Sequence, residues 1–175
     1  MKSGLTLILI YLLWAATFSL RAQHPVYRHY TVDDGLLSTE IYHVTQDSKG
    51  YIWIATNMGV SRFDGQNFEN FDKQDGLQEN TVFEIYEDLR GRIWFISFPC
   101  QLSYFINGTI HSYKYNEVLK NQIGSYAVPV KYSFEVFENE EIKLGLMYEG
   151  LISIDRHGRL KKLHAQGKDS TSAQL

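Results

Sequence analysis

The sequence predicts an all-β fold: a partial β-propeller of about three four-stranded antiparallel blades, with one extra N-terminal outer strand. Three observations carry this prediction. Residues 34–72 and 75–113 spell one motif twice: Asp34-Gly35-Leu36 recurs as Asp75-Gly76-Leu77, and Gly50-Tyr51-Ile52-Trp53 as Gly91-Arg92-Ile93-Trp94, each 41 positions on. The runs between the turn residues are short and rich in Ile, Val, Thr, Tyr, Phe and Trp, which suits strands and not helices. The turn residues keep register with the runs, so strand and turn are copied as one unit. A period of roughly 40 residues built from short strands is that of a propeller blade rather than of a two-helix solenoid repeat.

The elements follow in chain order. Residues 26–30 align with the outermost strand of a unit, because Tyr27 and Tyr30 fall where Phe68 and Phe71 fall before the next Asp-Gly-Leu. A lone outer strand at the start of a propeller completes the sheet of the last blade and removes an open edge. The first unit gives strands at 40–46, 51–56, 60–63 and 67–71, and the second at 81–87, 92–97, 102–105 and 109–113. Asp47-Ser48-Lys49-Gly50 and Asp88-Leu89-Arg90-Gly91 are tight turns in which the Asp caps and the Gly takes positive φ. Asp64-Gly65 and Asn107-Gly108 read as two-residue hairpins. Asn107-Gly108-Thr109 also fits a glycosylation sequon, but the hairpin reading is sufficient.

A third copy is worn. Its strands fall at 131–138, 142–146, 151–154 and 159–163, with Asp155-Arg156-His157-Gly158 as the last turn. Lys143 stands where Trp53 and Trp94 stand, and a longer connection over 116–129 replaces the Asp-Gly-Leu opening. The blade units are therefore about 34–72, 75–113 and 131–163 within a propeller region of 26–163. A closed ring takes about 4–8 blades, so three units do not close one.

Lys2, an apolar run over 5–20 and Leu20-Arg21-Ala22 read together as a signal peptide, 1–22, cleaved after Ala22. The expected location is periplasmic or secreted. The run is shorter than the ~20 residues a spanning helix needs, so membrane contact is expected only through an uncleaved leader. Residues 164–175 are polar and expected to be disordered. The net charge of −3 becomes −5 once Lys2 and Arg21 leave with the leader, and no basic stripe remains, which argues against nucleic acid as a partner. Cys100 is the single cysteine, so no intrachain disulfide forms, and it reads as a small apolar residue.

The candidate chemistry is thin. Asp34, Asp47, Asp64, Asp75 and Asp88 recur with the repeat, which marks them as turn caps. Acid–base catalysis calls for an unrepeated pair. The six histidines, His24, His29, His43, His111, His157 and His164, lack the spacing of metal sites. No catalytic, cofactor or metal site is expected. Gly35, Gly50, Gly76, Gly91, Asp47, Asp88, Trp53 and Trp94 are the structural marks of the repeat, and the two Trp rings are expected to fill the space between adjacent blades. Stacking of a sugar on an exposed ring is the functional alternative. Arg62 and Tyr51 are the candidate ligand or interface residues, Arg62 holding either an acidic ligand or a neighbouring blade.

The run Asp47-Ser48-Lys49-Gly50-Tyr51-Ile52-Trp53-Ile54-Ala55-Thr56-Asn57-Met58-Gly59-Val60-Ser61-Arg62-Phe63-Asp64-Gly65, flanked by Asp-Gly-Leu on both sides, resembles the two-component regulator propeller repeat. The resemblance is strong over about 30–116 and weak over 131–163. It implies the periplasmic sensor region of a bacterial membrane histidine kinase, of the hybrid or LytS-like kind. Members of that family continue through more blades, a Tyr-rich β-sandwich, a transmembrane helix and a cytoplasmic kinase or DNA-binding module, none of which this sequence spells. Three accounts follow: a truncated product, which is the favoured one, a small stand-alone paralogue, or a chain that closes its ring with another.

The expected function is thus a non-catalytic extracytoplasmic sensor or ligand-binding module of a two-component system. A small molecule or glycan is the expected ligand, and another propeller chain or a sensor kinase the expected protein partner. A secreted propeller enzyme, a polysaccharide lyase or hydrolase, is the competing class. A structural interaction domain that recruits a partner through open sheet edges is the third.

Overall fold

The structure, a computed structural model, describes residues 27–123 and 127–163. The leader expected at 1–22 and the tail expected at 164–175 lie outside the described residues. The all-β prediction is borne out as three antiparallel sheets of four strands, each a simple meander. Blade 1 holds β1 (Ile41–Gln46), β2 (Ile52–Thr56), β3 (Val60–Phe63) and β4 (Phe68–Phe71). Blade 2 holds β5 (Val82–Glu87), β6 (Ile93–Ser97), β7 (Gln101–Ile106) and β8 (Thr109–Ser112). Blade 3 holds β9 (Glu135–Val136), β10 (Ile142–Leu146), β11 (Gly150–Ile154) and β12 (Leu160–Leu163).

The blades stack face to face, and the two seams are the core. Trp53, Ala55, Val60 and Phe71 of blade 1 pack against Val82, Ile85, Ile93, Phe95, Phe105 and Ile110 of blade 2. Trp94, Ile96, Leu102 and Tyr113 of blade 2 pack in the same way against Phe134, Val136, Ile142, Leu144 and Ile154 of blade 3. Alternation along each strand sends one set of residues forward and the other back, so a blade has a leading face toward its predecessor and a trailing face toward its successor.

The repeated Asp-Gly-Leu carries the chain from one outer strand to the next inner strand. It closes a short 3₁₀ turn, Lys73–Asp75, in which Asp72 accepts from Gln74 N and Asp75 accepts from Asp72 N at 2.9 Å. Gly76 then takes φ +114, and a Cβ there would stand 3.0 Å from the Ile110 carbonyl. Glycine answers both demands at that point. Thr31 and Asp34 make the same turn before Gly35, with φ +102.

Four expectations need correction. Residues 27–30 join none of the described sheets, each of which already has its own outer strand, β4, β8 or β12. The connection over 116–129 is not all loop, since Asn116–Gln122 forms a helix, α1. Glu117, Leu119, Lys120 and Gln122 are good helix formers, Leu119 is buried, and the Asn116 side chain clamps both backbone groups of Leu102, at 2.9 and 2.7 Å. The strand expected at 131–138 shrinks to β9, because Tyr132 takes φ +61 and the Ser133 hydroxyl, not the backbone, bonds Gly145 N. Asp64-Gly65 lies in a four-residue turn, with Phe63 paired to Phe68 and Asp64 capping Gln66 N and Asn67 N. Asn107-Gly108 does make a two-residue turn, at φ +51 and +83 between Ile106 and Thr109.

Candidate functional site

The repeated acids are fully engaged in structure. Asp47 accepts from Lys49 N, Tyr51 N and, at 2.8 Å, the indole Nε1 of Trp53. Asp88 accepts from Arg90 N, Arg92 N, Arg92 Nε and, also at 2.8 Å, Trp94 Nε1. One carboxylate therefore closes the turn between first and second strands and satisfies the only polar atom of an indole that is otherwise in apolar surroundings. Burial pushes the Asp88 carboxyl up, but the hydrogen bonds from Trp94, Arg92 and Arg90 outweigh it and leave the group below its ordinary value. Both carboxylates are thus committed to structural donors, three for Asp47 and four for Asp88. Trp53 and Trp94 sit in the seams, and Gly50 and Gly91 take φ +91 and +72 in the two turns.

Arg62 and Tyr51 are brought together. The guanidinium lies 4.6 Å from the Tyr51 ring centroid and 5.5, 5.9 and 5.2 Å from those of Trp53, Phe71 and Phe105, and it pairs with Glu69. Blade 2 keeps the pair with its members exchanged between strands. Arg92 stands at the Tyr51 position and Tyr104 at the Arg62 position, 5.4 Å apart, with Arg92 also 5.0 Å from Trp94. The Arg–Tyr pair lids the Trp at the rim of each seam. Beside each lid is a small groove, about 300 Å³ at the first seam and about 160 Å³ at the second. In both, the cation is already held by aromatic faces and a carboxylate, an arrangement that favours a structural rim.

What differs from blade to blade lies on the innermost strands. His43 of β1 and Glu84 of β5 occupy the same repeat position, each just past a bulge. His43 Nδ1 accepts from Ile85 N at 3.1 Å, which leaves the proton of the neutral ring on Nε2. Burial and then the nearby Lys131 charge lower the His43 pKa. Glu84 is 3% exposed; Oε1 accepts from Tyr132 N at 2.8 Å, and Oε2 is buried without a partner. Burial raises the Glu84 pKa, against the pull of Tyr132 N and Lys131. Lys131 donates to the Tyr42 carbonyl and lies 4.8 Å from the Phe83 ring, while the exposed Tyr132 ring meets His43 at 5.8 Å. A base, a half-satisfied acid, an ammonium and an open aromatic face thus meet where the inner strands of all three blades converge.

Sequence reasoning passed over this cluster, although a signal existed. His43 and Glu84 are 41 positions apart, at a point where the copies disagree in chemistry while the flanking residues agree. Lys131 and Tyr132 carried no such signal, because they come from the segment where the repeat is worn. No group of His, Cys, Asp and Glu among the described residues is arranged to hold a metal ion, and no described helix is long and apolar enough to cross a membrane.

The comparisons with known proteins agree with this architecture. The two component regulator propeller family profile matches residues 35–58. A histidine kinase of Formosa agariphila, Histidine kinase P4, is 36% identical over 53 residues, which is 29% of this chain and 4% of that protein. The extracellular domains of two hybrid two component systems of B. thetaiotaomicron share the fold. One has TM-score 0.59 at 19% identity over 78% of this chain, the other TM-score 0.60 at 16% identity over 87%. The chain spans 20% of each of those two structures. Residues 35–58 thus match a two component regulator propeller repeat, and they lie in a stack of propeller-like blades.

Proposed function

We propose that the chain is an extracytoplasmic, non-catalytic ligand-binding module of a two-component signalling system, carried out of the cytoplasm by residues 1–22. The family repeat and the likeness to extracellular domains of hybrid two component systems support the class of role. One observation carries the non-catalytic part: the repeated acids serve their own turns, Asp47 and Asp88 each holding a turn and an indole, and Asp34, Asp64 and Asp75 each capping a turn. The groups left for recognition are His43, Glu84, Lys131 and Tyr132 at the convergence of the inner strands. An aromatic face beside a donor imidazole, a carboxylate and an ammonium suits a polyhydroxylated ligand, a small molecule or glycan fragment, and a sensor kinase is the partner such a module informs.

The test is a panel of oligosaccharides titrated into the purified chain by calorimetry, with products assayed in parallel. Saturable binding without turnover is expected, weakened by Glu84→Gln and by Lys131→Met. Turnover of any panel member would overturn the non-catalytic reading in favour of a polysaccharide lyase or hydrolase. Absence of saturable binding across the panel would overturn the glycan assignment.

A further inference from the structure

We propose that the groove at the second seam, between blades 2 and 3, is a binding site for a small aromatic carboxylate. It shares no residue with the cluster on the innermost strands, so it is a second site and stands apart from the glycan assignment. The inference comes from comparing the two seam grooves position by position.

The grooves are copies of one another. Tyr51 and Trp53 at the first correspond to Arg92 and Trp94 at the second, and Ile93 corresponds to Ile142. Three positions change charge in one direction. Glu87, which accepts from Ser48 N and Oγ at the first seam, becomes Val136. Asn107, in the outer turn, becomes Arg156. Asp72, the cap of the Asp-Gly-Leu turn, becomes Lys114, where α1 follows in place of that turn. The first groove therefore sets one unpaired cation, Lys49, beside two carboxylates, Asp47 and Glu87. The second sets two, Lys114 and Arg156, beside one carboxylate, Glu140, which is paired with Arg90 at 2.5 Å.

Arg92 remains the lid of Trp94, tied to Asp88 at 2.6 Å. Lys114 and Arg156 are exposed and pair with no carboxylate among the described residues. Arg156 Nε donates to the His157 ring at 3.1 Å, so both terminal amino groups of its fork remain for the two oxygens of a carboxylate. Lys114 Nζ lies 4.8 Å from the Tyr115 ring centroid. The Arg90 hydrogen bond and then, against burial, the charges of Arg90, Lys114 and Arg92 hold the Glu140 carboxyl below its ordinary value, so the positive field reaches across the groove. The turn that carries Arg156 is fixed by packing. Tyr115 Oη donates to the Arg156 carbonyl at 2.8 Å, and a Cβ on Gly158 would stand 2.5 Å from the Tyr115 ring.

The walls specify the body of the ligand. Tyr104, Tyr113 and Tyr115 line the groove with Val136 and Ile142, and the Tyr113 and Tyr115 rings stand edge to face, 5.6 Å apart. Such faces and edges receive another aromatic ring in the geometries it favours. The volume, about 160 Å³, holds one six-membered ring and not a sugar chain. A ring bearing a carboxylate sets its charge at Lys114 and Arg156 and its apolar body against the tyrosines. A bare inorganic anion would leave those walls uncovered.

The test is titration of benzoate into the nitrogen-15-labelled chain, followed through the indole N–H resonances. That of Trp94, which lines the groove, is expected to shift saturably with a Kd of about 1 mM, while that of Trp53 stays in place. Lys114→Met combined with Arg156→Gln should weaken binding at least about tenfold and leave the melting temperature unchanged, since both side chains are exposed. Benzamide, the same ring without the charge, and inorganic phosphate, the charge without the ring, should each bind at least about tenfold more weakly than benzoate. No saturable shift with benzoate, an equal shift in the double variant, or equal affinity for benzamide or phosphate would overturn the proposal.

Discussion

The turn between the first two strands is built from opposite chemistry in blade 1 and blade 3. In blade 1, Asp47 and Trp53 face each other, a carboxylate bonded to an indole. In blade 3 the same backbone turn is closed by Phe137, whose N–H and carbonyl bond Glu141 O and Glu140 N as those of Asp47 bond Tyr51 O and Gly50 N. Opposite Phe137 stands Lys143, its ammonium 4.4 Å from the ring centroid. Acid and aromatic have become aromatic and base, and Asn139 has taken over the capping of the turn. The exchange follows what lies beyond. Trp53 and Trp94 each face another blade, whereas Lys143 faces no described blade. A stacked repeat needs a large apolar knob on every internal face and a polar one on a face that meets water.

The comparison breaks most sharply at Trp53. Each indole removes ~150–250 Å² from water, worth roughly 4–6 kcal/mol as an upper bound. Trp53→Ala should cost about 3–5 kcal/mol in urea unfolding, and an unchanged midpoint would show that the ring does not hold the seam. Asp88→Ala should cost about 2–3 kcal/mol, because it strips the indole and two backbone N–H groups of their acceptor. The pH dependence follows from the sign of the shift. Folded Asp88 titrates below its unfolded value of ~3.9, so its contribution is full above that pH and fades as pH falls through the lower folded value. Acid titration of Asp88→Asn should lose that part of the slope.

Smaller effects sharpen the contrast. Gly50→Ala places a Cβ at φ +91 and should cost about 1–2 kcal/mol. Glu140 already stands at the equivalent point with φ +65. Its own replacement by Gly relieves that conformation while giving up the exposed pair with Arg90, so the net change should stay within about 1 kcal/mol. Lys143→Ala should cost least, about 0.5–1 kcal/mol for one solvent-side cation–π contact. A loss as large as that of Trp53→Ala would mean that Lys143 is buried against something in solution.

The blades were legible where local chemistry decides the backbone. Asp-x-x-Gly, Asn107-Gly108 and the Asp-Gly-Leu turn impose φ values that few other residues accept, so strands and their order could be placed from turns alone. The worn copy was legible for β10 to β12 and misleading for its first strand, where a tyrosine in a left-handed conformation and a serine hydroxyl replace the ladder. Helix α1 stayed hidden because its seven residues form a helix only when Leu119 and the Asn116 clamp dock on β7. Arg62 and Tyr51 were singled out by type, yet what they touch came only from the fold.

The sequence by itself determined the repeat, its strands, the indoles and the acids that hold them, because each depends on neighbours within a few residues or on one fixed period. Tertiary structure alone decided which face of each blade is covered and which residues of three separate units meet at the axis. Those outcomes depend on the stacking of whole sheets: Ile41 and Val82 read alike in the chain, yet Val82 is covered by a blade and Ile41 is exposed.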